Sequence, residues 1–550
     1  MPARSTATSA PARWWLGVVL WTSALVAAWL AVDPRTPDLA AQVYRVGLFR
    51  ELGFAVWDEH WYAGHALPGY SLIYPALASL LGMRLLAAAC VLASSALFAR
   101  LARLAYGEHA RWGAALFAVA ALGDVWSGRL TFALGVSLAL ATGLALARER
   151  WWLAGALAAL CAAASPVAGA LLGLAALSVA LARRSPRTLL VAAGPAAVVV
   201  LVPAALFGEG GYEPYPILSF AATAAVVAAF LVALPRSARL LRIGGWVYLA
   251  ACVACLAVRS PIGSNVERYA VLLAGPLLLC SCLAEPRRRG AAAGTGTGAL
   301  SRMRVSPVAA LALCGMAVWV VWGPVRETRA VAGGEATSAS YYAPLERYLA
   351  GVQAPPGSPV RVEVPLTRSH WEAALLAPTV SLARGWEKQL ETRYDGVLLA
   401  HGLTAAAYER WLREQAVSYV ALPDVPLDSS SAQEGTLIRA GLPYLREVFA
   451  SAHWRVFRVL GAPPLASGPG RLTALGHDSF TLSADRAGSF MVRVRFTRYW
   501  TLTRGAGCVA PAPGGWTRVT LRAGGTATVA ARFSLSRAFS SGGSCVGGAS

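Results

Sequence analysis

Charge is scarce in this chain, and lysine is almost missing. Only 14% of the 550 residues are Asp, Glu, Lys or Arg, whereas soluble domains carry nearer a quarter. Lys388 is the single lysine, so arginine supplies nearly all of the positive charge. Long apolar runs recur between residues 14 and 323, and their interiors hold no Asp, Glu, Lys, Arg or His. Ion-coupled carriers keep such groups at mid-membrane despite their cost, so this lack speaks against ion-coupled transport. Metal-ligand spacing is also missing. Cys90, Cys161, Cys252, Cys255, Cys280, Cys282 and Cys314 lie in or beside apolar runs without histidines at ligand spacing, and read as small packing residues. Cys508 and Cys545 stand apart in a polar C-terminal part; if that part is exported, a disulfide between them is the natural reading.

What is abundant is apolar: 56% of the residues are hydrophobic. The runs fall at about 14–32, 82–99, 112–124, 130–147, 152–164, 166–182, 188–207, 216–235, 243–258, 269–284 and 305–323. In a bilayer each must be a helix, because lipid offers no partner for exposed backbone groups, and none alternates as a membrane barrel strand does. The first run is long, Trp-rich and followed by further spans, so it reads as an uncleaved helix, not a signal peptide. Ser165-Pro166 either separates two helices or kinks one.

The net charge of +21 reads as a topology signal, with no nucleic acid implied. One set of connections, from Arg4/Arg13 through Arg100/Arg103/Arg111, Arg148/Arg150, Arg183/Arg184/Arg187 and Arg236/Arg239/Arg242 to Arg287/Arg288/Arg289/Arg302/Arg304, holds eighteen arginines against Glu108, Glu149 and Glu285. The opposite connections mix Arg35, Arg45, Arg50, Arg84, Arg129, Arg259 and Arg268 with many acids. The arginine-rich set is cytoplasmic by the positive-inside rule, which puts the N-terminus (1–13) inside and the C-terminal part outside. The Gly/Ala/Thr stretch 290–300 is then a flexible cytoplasmic loop. The Ala/Arg-rich, Lys-poor composition fits a bacterial plasma membrane.

The expected fold class is therefore a polytopic α-helical membrane protein of about 11 spans (14–324), N-in and C-out, with a first external loop at 33–81. Beyond Pro324 the composition becomes soluble. Strands are expected at 359–364, 417–422 and 454–459, and helices at 340–350, 404–416 and 432–449, giving a small α/β unit over 325–462. Alternating segments at 489–497, 516–522 and 526–533, among Gly/Pro/Ser turns, predict a β-sandwich over 463–550.

Chemistry-bearing residues gather at the outer ends. The first loop runs Asp33-Pro-Arg-Thr-Pro-Asp38, then Tyr44, Arg45 and Arg50, then Trp57-Asp58-Glu59-His60-Trp61-Tyr62-Ala63-Gly64-His65, on to Pro68, Tyr70 and Pro75. Three further clusters are Asp124 to Arg129, Glu209 to Tyr215, and Asn265 to Tyr269. A carboxylate can take a proton from an attacking hydroxyl, guanidiniums hold phosphate, and aromatic faces stack on sugars. An interfacial Trp/Tyr belt with helix caps is the plainer reading of the same residues. In the C-terminal part, Arg384 to Gln389, Arg393-Tyr394-Asp395, Trp411 and Trp500 either bind glycan or pack the domain.

The arrangement resembles the GT-C superfamily of membrane glycosyltransferases. Pro37-Asp38 through Tyr44, Gly53-Phe54, and Trp61-Tyr62 through Pro68, Tyr70 and Pro75 look like the first-loop signature of that family, and Arg268-Tyr269 with Pro276 looks like its late-span arginine. The resemblance covers roughly 14–324 in architecture. It implies an inverting transfer of a sugar from a polyprenyl-phosphate donor to an envelope glycan or lipid acceptor, at the bilayer surface. Asp38 falls at the position of the catalytic base. Donor or substrate contacts would come from Arg45, Asp58, Glu59, His60, His65, Tyr70, Arg129, Arg268 and Tyr269. Many members carry paired acids in this loop, whereas Asp38 is followed by Leu39 and the adjacent pair is Asp58-Glu59; both positions stay open as the base. No cofactor is expected at the reaction centre. A divalent cation at His60/His65 is weighed against plain hydrogen bonding, and no metal is assigned. A lipid or glycan flippase and a non-catalytic envelope-assembly protein are the alternatives.

Overall fold

The structure is a computed structural model that describes residues 14–292, 306–353, 359–539 and 543–545, without side chains for 286–292. Arg4, Arg13, Arg302, Arg304 and most of the 290–300 stretch lie outside the described residues. The chain divides into two units that do not follow chain order. One holds the first helix, Ser71–Val202 and Pro214–Glu327; the other holds Arg35–Tyr70, Pro203–Glu213 and the chain from Thr328 onward.

In the helical unit, each of the eleven apolar runs falls on a helix: Trp14–Val32, Met83–Tyr106, Ala110–Trp126, Leu130–Ala147, Trp151–Ala164, Pro166–Arg183, Pro186–Phe207, Ile217–Ala233, Arg239–Ala257, Glu267–Ala292 and Pro307–Val331. Among the described residues, eight stretches are long and apolar enough to cross a membrane, and one of them, Met83–Trp126, holds two of these helices. Trp151–Ala164 and Ile217–Ala233 are shorter. Ser165-Pro166 separates two helices: the Ser165 Oγ accepts from the Ala168 N–H (3.3 Å), and Pro166 takes the first helical position, where its missing N–H is harmless. Small residues let backbones approach; a Cβ at Gly113 would meet the Pro276 carbonyl at 2.6 Å, and one at Gly169 would meet Ala162. Buried Cys161 and Cys280 sit in such contacts as free thiols. Large apolar side chains meanwhile face outward, with Leu20 70% and Leu218 81% exposed, an exterior suited to lipid.

The other unit begins where a loop was expected. Pro37–Leu52 is a helix: Thr36 precedes it, Pro37 and Asp38 occupy its first turn, Arg50 its last, and Gly53 (φ 68°) stops it. Ala40, Ala41, Tyr44 and Leu48 repeat at helical spacing and are buried. A short hairpin follows, pairing Trp57–Asp58 with His65–Ala66. Both feed the unit's cores: Ala40, Tyr44, Leu48 and Trp61 pack among residues of the α/β part, and Trp57 among those of the sandwich.

The α/β part has a five-stranded mixed sheet. Its order is Ser381–Leu382, Arg361–Glu363, Val417–Pro423, Trp454–Val459, Leu445–Ala450, the first two pairings parallel and the rest antiparallel. The helix expected over 432–449 ends at Ala440. Gly441 takes φ 86° and Pro443 follows, after which Leu445–Ala450 pairs as an edge strand; a left-handed glycine and a proline end helices for backbone reasons that outweigh side-chain pattern. The sandwich has two four-stranded antiparallel sheets around Phe480, Leu482, Phe490, Val492, Trp500, Val519 and Val529. The Cys508–Cys545 disulfide forms (Cα–Cα 5.0 Å) and ties strand Gly507–Pro511 to the C-terminal segment.

Candidate active site

The first-loop residues that chemistry singled out separate into two environments. Asp38 is half-buried in the first turn of the Pro37–Leu52 helix, where its charge also complements the helix dipole. Asp58, Glu59 and His65 are completely enclosed, and His60 is nearly so.

Asp58 is the hub of the enclosed set. Its carboxylate accepts from the Tyr44 hydroxyl (2.8 Å) and pairs with His477 Nδ1 (2.9 Å), and it accepts from the His60 backbone N–H (3.2 Å). Burial alone would raise its pKa, but the hydrogen bond to His477 and the charges of His65, His477 and His60 hold it at about 2. Burial pushes His60 and His65 down to about 4. Each is engaged through Nδ1, His60 with the Ala377 carbonyl (2.5 Å) and His65 with the Asp58 carbonyl (3.1 Å). Burial would likewise lower His477, yet Asp58 raises it. Among the described residues, no group of three or more His, Cys, Asp or Glu side chains is placed to hold a metal ion.

Glu59 reaches across to the sheet. Arg361, fully buried, donates through Nη2 to Glu59 Oε1 (3.0 Å), through Nη1 to the Gln415 carbonyl (2.7 Å) and through Nε to Ser381 Oγ (3.3 Å). Burial raises the Glu59 carboxyl and lowers Arg361, each opposed by the other's charge. Arg45 is 6% exposed and pairs with Glu387; its guanidinium lies 4.4 Å from the Tyr70 ring centroid, and Gln42 Nε2 donates to the Tyr70 hydroxyl (2.5 Å). His477 and Arg361 went unrecognised in the sequence because they are more than 300 residues from their partners and carry no motif; Glu387 was singled out only as part of the Arg384 to Gln389 stretch, without its partner Arg45.

A second gathering lies within the helical unit. Arg129, in the turn between Ala110–Trp126 and Leu130–Ala147, pairs with Glu327 (3.2 Å) and lies 3.9 Å from Asp124. Arg268 also acts on Asp124 electrostatically, and its guanidinium lies 5.3 Å from the Phe132 ring centroid. Tyr269 packs on Tyr248 (5.2 Å). The Asp124–Arg129 and Asn265–Tyr269 clusters, separate in sequence, are thus neighbours, with Glu327 joining them. Tyr248 and Tyr269 also line an apolar cavity of about 300 Å3 with Phe98, Leu140, Val227 and Leu273.

Of the C-terminal candidates, Trp411 and Trp500 are buried packing residues. Arg384 is enclosed by Glu363, Glu391 and Glu434, and Trp386 stacks on His370 (3.6 Å).

Apolar helices with lipid-suited exteriors, joined to a β-rich unit, define a helical membrane protein. No family model matches the chain, and no curated protein matches it in sequence. The chain is similar to solved cryo-EM structures of the arabinofuranosyltransferase AftD from Mycobacteria. One is 14% identical with a TM-score of 0.44, covering 97% of this chain and 58% of that one. Two structures of a mutant form are 15% and 16% identical, both with a TM-score of 0.47, covering 97% of this chain and 61% and 60% of theirs. The chain therefore spans about three fifths of the length of the structures it matches.

Proposed function

We propose that the protein is an integral membrane glycosyltransferase, N-in and C-out across about 11 helices, that transfers a sugar from a polyprenyl-phosphate donor to an envelope glycan or lipid acceptor on the extracytoplasmic face. One observation carries the choice of residues: of the three first-loop acids weighed as base, Asp38 is half-buried, whereas Asp58 and Glu59 are fully enclosed. In this reading Asp38 takes the proton from an acceptor hydroxyl as its oxygen attacks the anomeric carbon. The bond from that carbon to the phosphate oxygen breaks, with inversion, and polyprenyl phosphate leaves. Arg129 and Arg268 hold the departing phosphate, acting as preorganised charge for the developing anion. The apolar cavity beside Tyr269 suits an isoprenoid segment, which needs no polar partner. Asp58, Glu59, His60, His65, Arg45 and Tyr70 support the site by holding the first loop in place.

The test uses the full chain in lipid nanodiscs, supplied in parallel with a labelled polyprenyl-phosphate sugar and with the matching nucleotide sugar. Label should enter membrane glycan from the lipid-linked donor alone. Incorporation from the nucleotide sugar alone, or from neither, would overturn the proposal; movement of unaltered lipid-linked sugar between leaflets would favour a flippase.

A further inference from the structure

A cavity of about 780 Å3 opens inside the unit that holds Arg35–Tyr70, Pro203–Glu213 and the chain from Thr328 onward, well within the range of small-molecule sites, roughly 300–1,000 Å3. Six pieces of chain build it, among them Glu414 and Gln415 at the end of helix Ala405–Glu414. Trp57 comes from the hairpin, Glu209 from the Pro203–Glu213 segment, and Arg393 and Tyr394 from helix Lys388–Tyr394. Arg495 ends strand Gly488–Arg495, and Trp516 begins strand Trp516–Leu521. None of these side chains enters the transfer chemistry proposed above.

The polar groups of the wall are held in advance. The Arg495 guanidinium lies 3.5 Å from the Tyr394 ring centroid and 5.1 Å from that of Trp516. Its Nε donates to the Tyr62 carbonyl (2.6 Å) and its Nη2 to Gln415 Oε1 (3.3 Å). The Tyr394 hydroxyl donates to Glu209 Oε1 (3.4 Å), and Glu209 Oε2 accepts from the Ala66 N–H (2.9 Å). Burial pushes the Glu209 carboxyl up to about 7 against the pull of the Ala66 N–H, Arg495 and Tyr394. Side chains fixed in this way lose little entropy when a ligand arrives. At the rim, Arg393 and Glu414 are exposed.

This mixture selects among ligands. A lipid tail would cover the buried Arg495 and the half-buried Glu209 without offering either a polar partner, which is unfavourable. A polyanion would meet Glu209 and Glu414. A sugar ring fits both features, because it presents an apolar C–H face to an aromatic ring and hydroxyls that donate to carboxylates and accept from guanidiniums. We infer that this cavity is a binding subsite for a short oligosaccharide, the extended portion of a glycan acceptor. The choice of a glycan acceptor rests on the proposed function, but binding here is independent of the transfer step.

The test measures binding by the full chain in nanodiscs to a defined panel of di- to hexasaccharides of pentoses and hexoses, read by tryptophan fluorescence and by a surface-binding assay. At least one panel member should bind in the millimolar range or tighter. Arg393→Ala and Glu414→Gln, both exposed and therefore compatible with folding, should each weaken it at least tenfold with an unchanged melting temperature. Asp38→Asn should bind as wild type does. Absence of binding by every panel member, or equal affinity in wild type and both rim variants, would overturn the inference. Transfer that persists without oligosaccharide binding removes the subsite and leaves the proposed function standing; binding that persists without transfer does the reverse.

Discussion

Replacing Glu59 by Gln should loosen the first loop from the α/β sheet. The side chain keeps its size but loses the charge that balances Arg361, which is 0% exposed. Removing one partner of a buried ion pair costs about 3–5 kcal/mol, since the remaining charge has no water to return to. Arg361→Met should cost less at neutral pH, because burial raises Glu59 and lets it take up a proton. It also orphans the Gln415 carbonyl and Ser381 Oγ, at about 1 kcal/mol each. The double variant holds neither charge, so its cost should fall near 2–3 kcal/mol, well below the sum of the singles. The readout is amide hydrogen exchange on the full chain, at two bonds joining the loop to the rest of the unit: Glu59 N–H to the His477 carbonyl (2.6 Å) and Leu382 N–H to the His60 carbonyl (2.8 Å). Protection there should drop by about a hundredfold or more in Glu59→Gln, the equivalent of about 3 kcal/mol. A change under about fivefold, or single effects that add in the double variant, would refute the reasoning.

The other predictions concern titration, the staple and topology. Burial raises Asp395 from its usual carboxylate range to about 7, so the folded state retains a proton that the unfolded state releases. Stability from this group is complete below pH 3.8 and is lost as pH rises towards 7; Asp395→Asn should gain on wild type over that window, by at most about 4 kcal/mol, and stay level above it. Melting curves at pH 5 and pH 8 check this, and an advantage that shrinks with pH contradicts it. Cys508 and Cys545 enclose 37 residues of separation, for which chain entropy gives about 4 kcal/mol. Cys508→Ser should therefore raise exchange in strand Gly507–Pro511 while leaving the Arg361–Glu363 strand protected. A reporter fused after Ser550 should be active only outside the cytoplasm; activity inside would reverse the orientation read from the arginines.

The helical unit was legible because lipid imposes a simple rule. Every apolar run had to be a helix, and the structure puts a helix on each, including the pair divided by Ser165-Pro166. The sandwich strands showed through alternation, and the disulfide through two isolated cysteines. Two local signals were present but passed over. Pro37 and Gly53 bracket an amphipathic helix whose Asp, Tyr and Arg content reads as loop, and Gly441-Leu-Pro443 breaks a helical pattern that continues in side-chain terms. The site's support had no local signal. That Asp58 meets His477, Glu59 meets Arg361 and Glu209 meets Tyr394 follows from packing between segments far apart in the chain, and no spacing rule announces it.

The central claim is that Asp38 performs base catalysis on a lipid-linked sugar. Its most direct test is the transfer rate of purified Asp38→Asn from a labelled polyprenyl-phosphate sugar, beside Asp58→Asn and wild type, with folding monitored by the melting temperature of each. The account predicts that Asp38→Asn melts as wild type does and transfers at least a hundredfold more slowly, in line with the roughly 10²–10⁴-fold effect of a general base. It predicts that Asp58→Asn loses thermal stability first. Wild-type transfer by a folded Asp38→Asn protein would contradict it.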